Sequence, residues 1–316
     1  MKDSQRIKIG FFGTPDFSLH FLEYLFNNDF EISFVVTQPP AKSGRGKLLK
    51  KSSVHFWAEK NNIKVFYPEN TNNEKFIECI CSQMVDFLVV VAYGRLIPMK
   101  ILDSPKHMAV NIHASLLPRW RGAAPIQRAL MNGDAKTGVT IMKIIQELDA
   151  GPIILMRSFD IKKDDTSGTL YNKIIEDGKT LLTEALNKII NNDYKLQTQD
   201  VAKATYASKI KKIESKINWS EDAKKIFFKI KAFNPHPGSW TLLDSKKRIK
   251  ILKTEYLKET EYLNKLNLKI GQSTDKLEVK CGVGYLKIIS LQKEGGKPIS
   301  AKEFINGVKL KDIWFS

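Results

Sequence analysis

The sequence predicts an α/β protein in two parts: a Rossmann-like, doubly wound parallel sheet, then a small antiparallel β-barrel. Three observations predict it. Arg6 to Phe12 (RIKIGFF) is an apolar strand, Gly13-Thr14-Pro15-Asp16-Phe17 a tight turn, and Phe17 to Phe26 has helical spacing. Asp86 to Tyr93 (DFLVVVAY) is a continuous apolar run, suited to a central parallel strand buried on both faces. Ser239 to Leu243, Arg248 to Tyr256, Lys276 to Lys280 and Tyr285 to Leu291 read as short strands of even spacing, as a small barrel requires. No G-x-G-x-x-G follows the first strand, so a dinucleotide is not implied.

The remaining elements follow in order. Ile32 to Thr37 is a second strand. Gln38 to Ser53 (QPPAKSGRGKLLKKSS) holds two prolines, two glycines and five basic residues without one acid, and reads as an exposed mobile loop on the ligand-binding rim of the sheet. Val54 to Asn61 is helical, Lys64 to Tyr67 a short strand, and Asn73 to Gln83 a helix with Phe76, Ile77 and Ile80 on one side. Gly94-Arg95-Leu96-Ile97-Pro98 leaves the end of the central strand. Pro125 to Met131 begins a helix, with Pro at a tolerated early position. Gly138 to Ile145 and Ile153 to Ser158 are strands. Thr166 to Ile190 is a long amphipathic helix interrupted by Gly178, and Asn191 to Thr205 is polar enough for a linker. Ser220 caps a helix from Glu221 to Ala232. Gly282 and Gly284 mark a hairpin, and Ser300 to Val308 is a capped final helix.

The 316 residues suffice for two domains with cores of their own. No apolar run approaches the ~20 residues of a membrane helix, and the first residues are too briefly apolar for a signal peptide. Cys79, Cys81 and Cys281 have no C-x-x-C spacing, which suggests neither a disulfide framework nor a zinc site and fits a reducing cytoplasm. The net charge of +17 is uneven: residues 206–316 carry 24 Lys and Arg against 12 Asp and Glu, the first 205 carry 27 against 22. A basic module beside a nearly balanced one suggests a polyanionic partner; lysine enrichment from a biased genome would look the same.

The chemistry concentrates between Ala109 and Pro152. Val110 and Ile112 alternate with Asn111 and His113, so the amide and the imidazole share one face of a strand, just before the loop SLLPRWRGAAP. His moves a proton near neutral pH, and Asn donates to a developing oxyanion. Asp149 stands at the next strand's end, before Gly151-Pro152, where a carboxylate can orient the imidazole. Taken singly, each has a plainer reading: a satisfied structural His, an Asp capping a turn. All three at neighbouring strand ends are more specific than any one.

N-I-H-A-S-L-L-P-R-W-R-G-A-A-P-I followed by L-D-A-G-P resembles the signature of the folate-dependent formyltransferases, and among them is most similar to those acting on methionyl-tRNA. Tyr206-Ala207-Ser208-Lys209-Ile210 and Phe233-Asn234-Pro235-His236-Pro237-Gly238-Ser239-Trp240 resemble further motifs of that family. The resemblance implies a formyltransferase catalytic domain over 1–190 with a basic insertion over 38–53, a linker over 191–207 and an OB-like tRNA-binding domain over 208–316. It implies transfer of the formyl group of 10-formyltetrahydrofolate to the α-amino group of methionine on initiator Met-tRNA, for translation initiation, by a cytoplasmic monomer without metal or membrane. Asn111, His113 and Asp149 would be catalytic. Ser115, Leu116, Leu117, Pro118, Tyr93 and Gly94 would contact the folate, and Lys42, Arg45, Lys47, Lys50 and Lys51 the tRNA, Gly44-Arg45-Gly46-Lys47 matching the family's G-R-G-K. Where the family commonly reads M-D-x-G-L-D-T-G, this chain has Ile145, Glu147 and Ala150 for the first acid, the first glycine and the threonine; Asp149 and Gly151 are kept. A formyltransferase for a small amine, or an RNA-binding relative with a degenerate site, are the competing readings; salt dependence separates a tRNA substrate from a small amine.

Overall fold

The computed structural model describes residues 6–43, 48–257, 266–307 and 313–316. The chain divides into two compact units. The first gathers Met1–Gly122, Gly138–Phe159 and Lys173–Tyr206; the second gathers Ala123–Thr137, Asp160–Asn172 and Ala207–Ser316.

In chain order the elements are β1 (Lys8–Gly13), α1 (Asp16–Asn27), β2 (Glu31–Val36), β3 (Ala41–Ser43), β4 (Leu48–Lys50), α2 (Ser53–Lys60), β5 (Val65–Phe66), α3 (Glu74–Cys81), β6 (Phe87–Val91), α4 (Met99–Leu102) and β7 (Met108–His113). Then come β8 (Arg121–Gly122), α5 (Pro125–Asn132), β9 (Lys136–Lys143), β10 (Ile153–Asp160), α6 (Ser167–Ile190) and β11 (Tyr206–Ala207). A seven-stranded sheet runs β10-β9-β7-β6-β1-β2-β5. The pairs β1–β2, β1–β6, β2–β5 and β6–β7 are parallel, whereas β7–β9 is antiparallel. All five residues of β6 are buried, as its unbroken apolar run requires of a strand covered on both faces. Phe12, Phe34, Val36, Leu88 and Val90 share one core with Ile80 and Ile101 from the helices. Side-chain caps fix the helix starts: Ser52 accepts from the His55 N–H before α2, and Asn73 from the Phe76 N–H before α3.

Several features differ from the sequence reading, the antiparallel β7–β9 pair in an expected parallel sheet among them. The basic stretch 38–53, expected as a loop, includes two short strands: β3 and β4 pair antiparallel, with Lys42 opposite Leu49 and Ala41 opposite Lys50. Helix α6 runs unbroken through Gly178, because that glycine lies under the Phe21 ring, where a Cβ would come within 3.0 Å of it. Glycine serves close packing there, not interruption.

The second unit contains α7 (Ala223–Phe233), β12 (Ser239–Leu243), β13 (Lys247–Leu257), β14 (Glu278–Lys280), β15 (Tyr285–Lys293), β16 (Pro298–Ser300) and α8 (Ala301–Asn306). Its sheet order is β12-β13-β15-β14, with β16 also on β15, all pairs antiparallel. Ile226, Phe227 and Ile230 of α7 pack with Ile249, Ile251, Leu286, Ile288 and Phe304. Helix α5 belongs to this unit and packs on α7. The cap of α7 is Asp222, whose side chain accepts from the Lys224 N–H, and not Ser220. Residues 218–221 are held as a turn instead, Glu221 N–H donating to Asn218 O and Gly282 N–H to Glu221 O. Ser300 caps α8 in a full capping box with Glu303.

Candidate active site

Strand β7 presents Asn111 and His113 as the alternation requires. Asn111 stands in register with Val90 on β6 and Met142 on β9, and His113 opposite Thr140. Asp149 reaches them from the turn after β9, with its backbone in the left-handed region at φ 51°, a conformation Asp tolerates better than most residues. Gly151 follows by necessity: a Cβ there would strike the Lys143 carbonyl oxygen.

The Asp149 carboxylate is the hub. Its Oδ2 accepts the Gly122 N–H at 2.8 Å and lies 3.6 Å from His113 Nδ1. Its Oδ1 receives the Asn111 amide over a long 3.5 Å contact. On the other side of the ring, His113 Nε2 lies 2.8 Å from the Trp120 carbonyl. A carbonyl only accepts, so Nε2 carries a hydrogen, and Nδ1 is the edge turned to the carboxylate. His113 is buried and Asp149 nearly so, which strengthens each of these contacts relative to water. The arrangement can hold an imidazole in one orientation and offer an amide donor beside it. Among the described residues, no group of three or more His, Cys, Asp or Glu is placed to hold a metal ion.

The other residues named from sequence fall as follows. Ser115 is fully buried; its hydroxyl donates to Arg119 O at 2.6 Å, and its carbonyl accepts from the Thr140 hydroxyl at 2.7 Å. Leu117 is buried against Met142 and Ile153, while Leu116 and Pro118 are half-buried. Tyr93 is 2% exposed, edge-on to Phe12, with its hydroxyl buried and without a partner among the described residues; burial pushes the phenol up to about 12. The Tyr93 carbonyl accepts from Thr14 Oγ1 at 3.1 Å and Gln38 Nε2 at 2.8 Å. Gly94 has φ +79°, and a Cβ would press on the Gln38 amide. Lys42 and Lys50 are exposed on the hairpin, beside Leu48 and Leu49, each 69% exposed. Lys51 is bound to Glu59 at 2.7 Å, and this contact holds the Glu59 carboxyl below its usual range. Arg45 and Lys47 lie outside the described residues.

Three contributors were missed in the sequence. The Trp120 carbonyl fixes His113, and backbone groups leave no mark in a motif. Arg121, read as a loop cation, is 1% exposed in β8 and donates to Gln199 Oε1 and Glu147 Oε1. Gln199 is buried, 50 residues from the turn it holds. The one available signal was Glu147, an acid where the family has glycine, which hints at a nearby cation.

Comparison with known proteins identifies the relatives. Residues 6–186 match the model of the formyl transferase family, and residues 209–309 that of the formyl transferase C-terminal domain. The methionyl-tRNA formyltransferase of Marinobacter nauticus is 40% identical over 303 residues, covering 96% of this chain and 97% of the relative. That of a Sulfurihydrogenibium species is 41% identical over 308 residues, covering 96% and 98%. Among solved structures, an N-formyltransferase from Helicobacter canadensis in complex with folinic acid and dTDP-3-aminofucose matches with a TM-score of 0.63 at 23% identity, over 91% of this chain and 99% of that one. HypX from Aquifex aeolicus in complex with tetrahydrofolic acid matches with a TM-score of 0.63 at 16% identity; 99% of this chain covers 51% of that protein. At these identities the two structures share the fold.

Proposed function

Because the chain belongs to the formyl transferase family, we propose that it transfers the formyl group of 10-formyltetrahydrofolate to the α-amino group of methionine on initiator Met-tRNA, as a cytoplasmic monomer. The observation that carries this reading is the meeting of Asn111 and His113 on β7 with Asp149 from the turn after β9.

The folate supplies the formyl group when bound. Its fit is supported by the apolar surroundings of Tyr93, whose buried hydroxyl has no partner among the described residues, and by the exposed Leu96 three residues on. Tyr93, Gly94 and Ser115 to Pro118 line that side; buried Ser115 and Leu117 act by holding the wall in shape. As the amine attacks, Asn111 donates to the oxygen that gains charge, exchanging its long contact to Asp149 for a shorter one. The amine loses a proton and the departing folate nitrogen gains one. His113 carries it at Nδ1, the edge not tied to Trp120, while Asp149 keeps the ring in place.

The tRNA is held by the basic stretch 38–53, through Lys42, Arg45, Lys47, Lys50 and Lys51, and by the basic residues of 208–316. Residues 1–190 form the catalytic part, 191–207 the connection, and 208–316 an OB-like barrel. Backbone hydrogen bonds from Leu242 to Ser316, Phe315 to Gly271 and Gly271 to Lys280 support the barrel, running from β12 round to β14.

The test is formyl transfer from 10-formyltetrahydrofolate to initiator against elongator Met-tRNA, with free methionine as control. Product on the initiator alone is expected. Folate turnover with no tRNA product would overturn the tRNA reading and point to a small amine.

A further inference from the structure

The turn that carries Asp149 has little to hold it from within. Gln146, Glu147 and Leu148 are exposed, and Asp149 itself sits at positive φ. Gln199 grips this turn from outside. Its Nε2 donates to the carbonyl of Asp149, the residue whose carboxylate meets His113, at 2.9 Å and to that of Gly151, two residues on, at 2.7 Å. Its Oε1 accepts from Arg121 Nε at 3.0 Å. Arg121 in turn spans to Glu147 Oε1 at 3.1 Å, on the leading side of the same turn. The neighbouring stretch also braces the loop that presents the Trp120 carbonyl and the Gly122 N–H: Trp120 N–H donates to Thr205 Oγ1 at 2.9 Å, and Arg121 N–H to Thr205 O at 2.9 Å.

We infer that Gln199 is a positioning residue: held by buried Arg121, it sets the backbone of the Asp149 turn so that the carboxylate stays against His113 and Asn111. The inference rests on the proposed role of Asp149 and deepens it. Gln199 is 5% exposed and reaches Asp149 at the backbone carbonyl rather than at the carboxylate, so it acts through that carbonyl. A misplacement of about 1 Å at a reacting group costs about a hundredfold in rate, and groups of this kind are held by neighbours whose own rotamers are locked. Glu147 belongs to the same device. Where the family commonly has glycine, this chain has an acid that pairs with Arg121 and ties the turn at a second point.

The test compares Gln199→Leu and Gln199→Glu with the parent in the transfer assay, alone and in an Asp149→Ala background. Leu removes donor and acceptor together. Glu keeps the size and the Arg121 contact but has no N–H for the two carbonyls, so it reads donation alone should the Leu variant fold poorly. Each is expected to lower kcat tenfold or more, with KM for folate and for tRNA within twofold. In the Asp149→Ala background either change should move the residual rate less than twofold, since a residue acting only through Asp149 has nothing left to position. Parental kcat in Gln199→Glu, or an equal loss in both backgrounds, would overturn the inference. Near-parental turnover in Asp149→Ala alone would instead overturn the proposed site, and the inference with it.

Discussion

At the end of β7, His113 meets an oxygen at both ring nitrogens, and the Asp149 carboxylate takes contacts from a backbone N–H, an amide and an imidazole. On the β3–β4 hairpin, Lys42 and Lys50 stand exposed beside two exposed leucines. The two regions serve one proposed reaction and are built in opposite ways. Proton transfer needs atoms held to a fraction of an ångström, so its residues are buried and tied from several elements. Capturing a polyanion needs charge that reaches and adapts, so its residues are few-bonded and solvated. The first region should therefore respond to mutation in kcat, and the second in KM and salt dependence.

The largest expected break is at β7. Asn111→Ala removes the proposed oxyanion donor and should lower kcat by about 10²–10³. His113→Ala should cost at least as much if the proposed proton carrier is lost with it. Both should leave KM for tRNA within twofold, measured by initial rates at saturating folate. A loss in KM alone would mean that these side chains hold substrate and do no chemistry. In the basic stretch 38–53, Arg45→Ala should do the reverse: KM for tRNA rises about tenfold, with folate binding, followed by fluorescence, unchanged. A planar guanidinium that pairs bidentately with phosphate is the hardest of the five cations to replace. Unchanged tRNA affinity would remove Arg45 from the interface.

The same contrast decides what was legible in the sequence. Asn111 and His113 could be read because strand periodicity is local and both sit two residues apart on it. Asp149 could be read because Gly151 and Pro152 mark the turn. Arg121 could not, since a cation in a loop flanked by Arg119 and Trp120 gives no sign that it will be buried. Gln199 could not either: one glutamine in a polar stretch becomes structural only when the fold brings it to a turn 50 residues away. The parallel part of the sheet was legible from unbroken apolar runs, but the antiparallel pairing of β9 with β7 was not, and the place of α5 in the second unit depends on packing with α7, far along the chain. Local pattern yields elements and motifs; the bonds that hold motifs in place are tertiary.

A smaller effect sharpens the comparison inside the hairpin region. Lys50 is exposed, whereas Lys51 is already bound by the Glu59 carboxylate. Each lysine that neutralises a phosphate adds about 0.7–0.9 to the slope of log affinity against log salt. Lys50→Ala should reduce that slope by about this amount, and Lys51→Ala by less, in filter-binding titrations at several salt concentrations. Equal losses would show that Lys51 leaves Glu59 when tRNA binds.

The smallest effect compares held and loose charges by stability. In the second unit Arg128 grips Glu214 with two nitrogens, at 2.7 and 3.1 Å, and this contact holds the Glu214 carboxyl below its ordinary range. The more exposed Glu59 meets the single Lys51 nitrogen with both oxygens, at 2.7 and 2.8 Å, and His55 Nε2 lies 3.2 Å from its Oε1. A carboxyl lowered on folding contributes stability that is present above its unfolded value, about 4.3, and is lost as pH falls through the lower folded value. Glu214→Gln should therefore cost about 1 kcal/mol at pH 7, a few degrees in Tm, and progressively less as the medium is acidified below about pH 4. Glu59→Gln should leave Tm where it is at both ends of that range, because an exposed pair gains little over its hydrated partners. Thermal melts of the two variants at pH 7 and pH 3 decide the matter. If Glu214→Gln matched the parent at pH 7, the bidentate pair would stabilise no more than the surface one, and burial would not separate the two classes of charge in this protein.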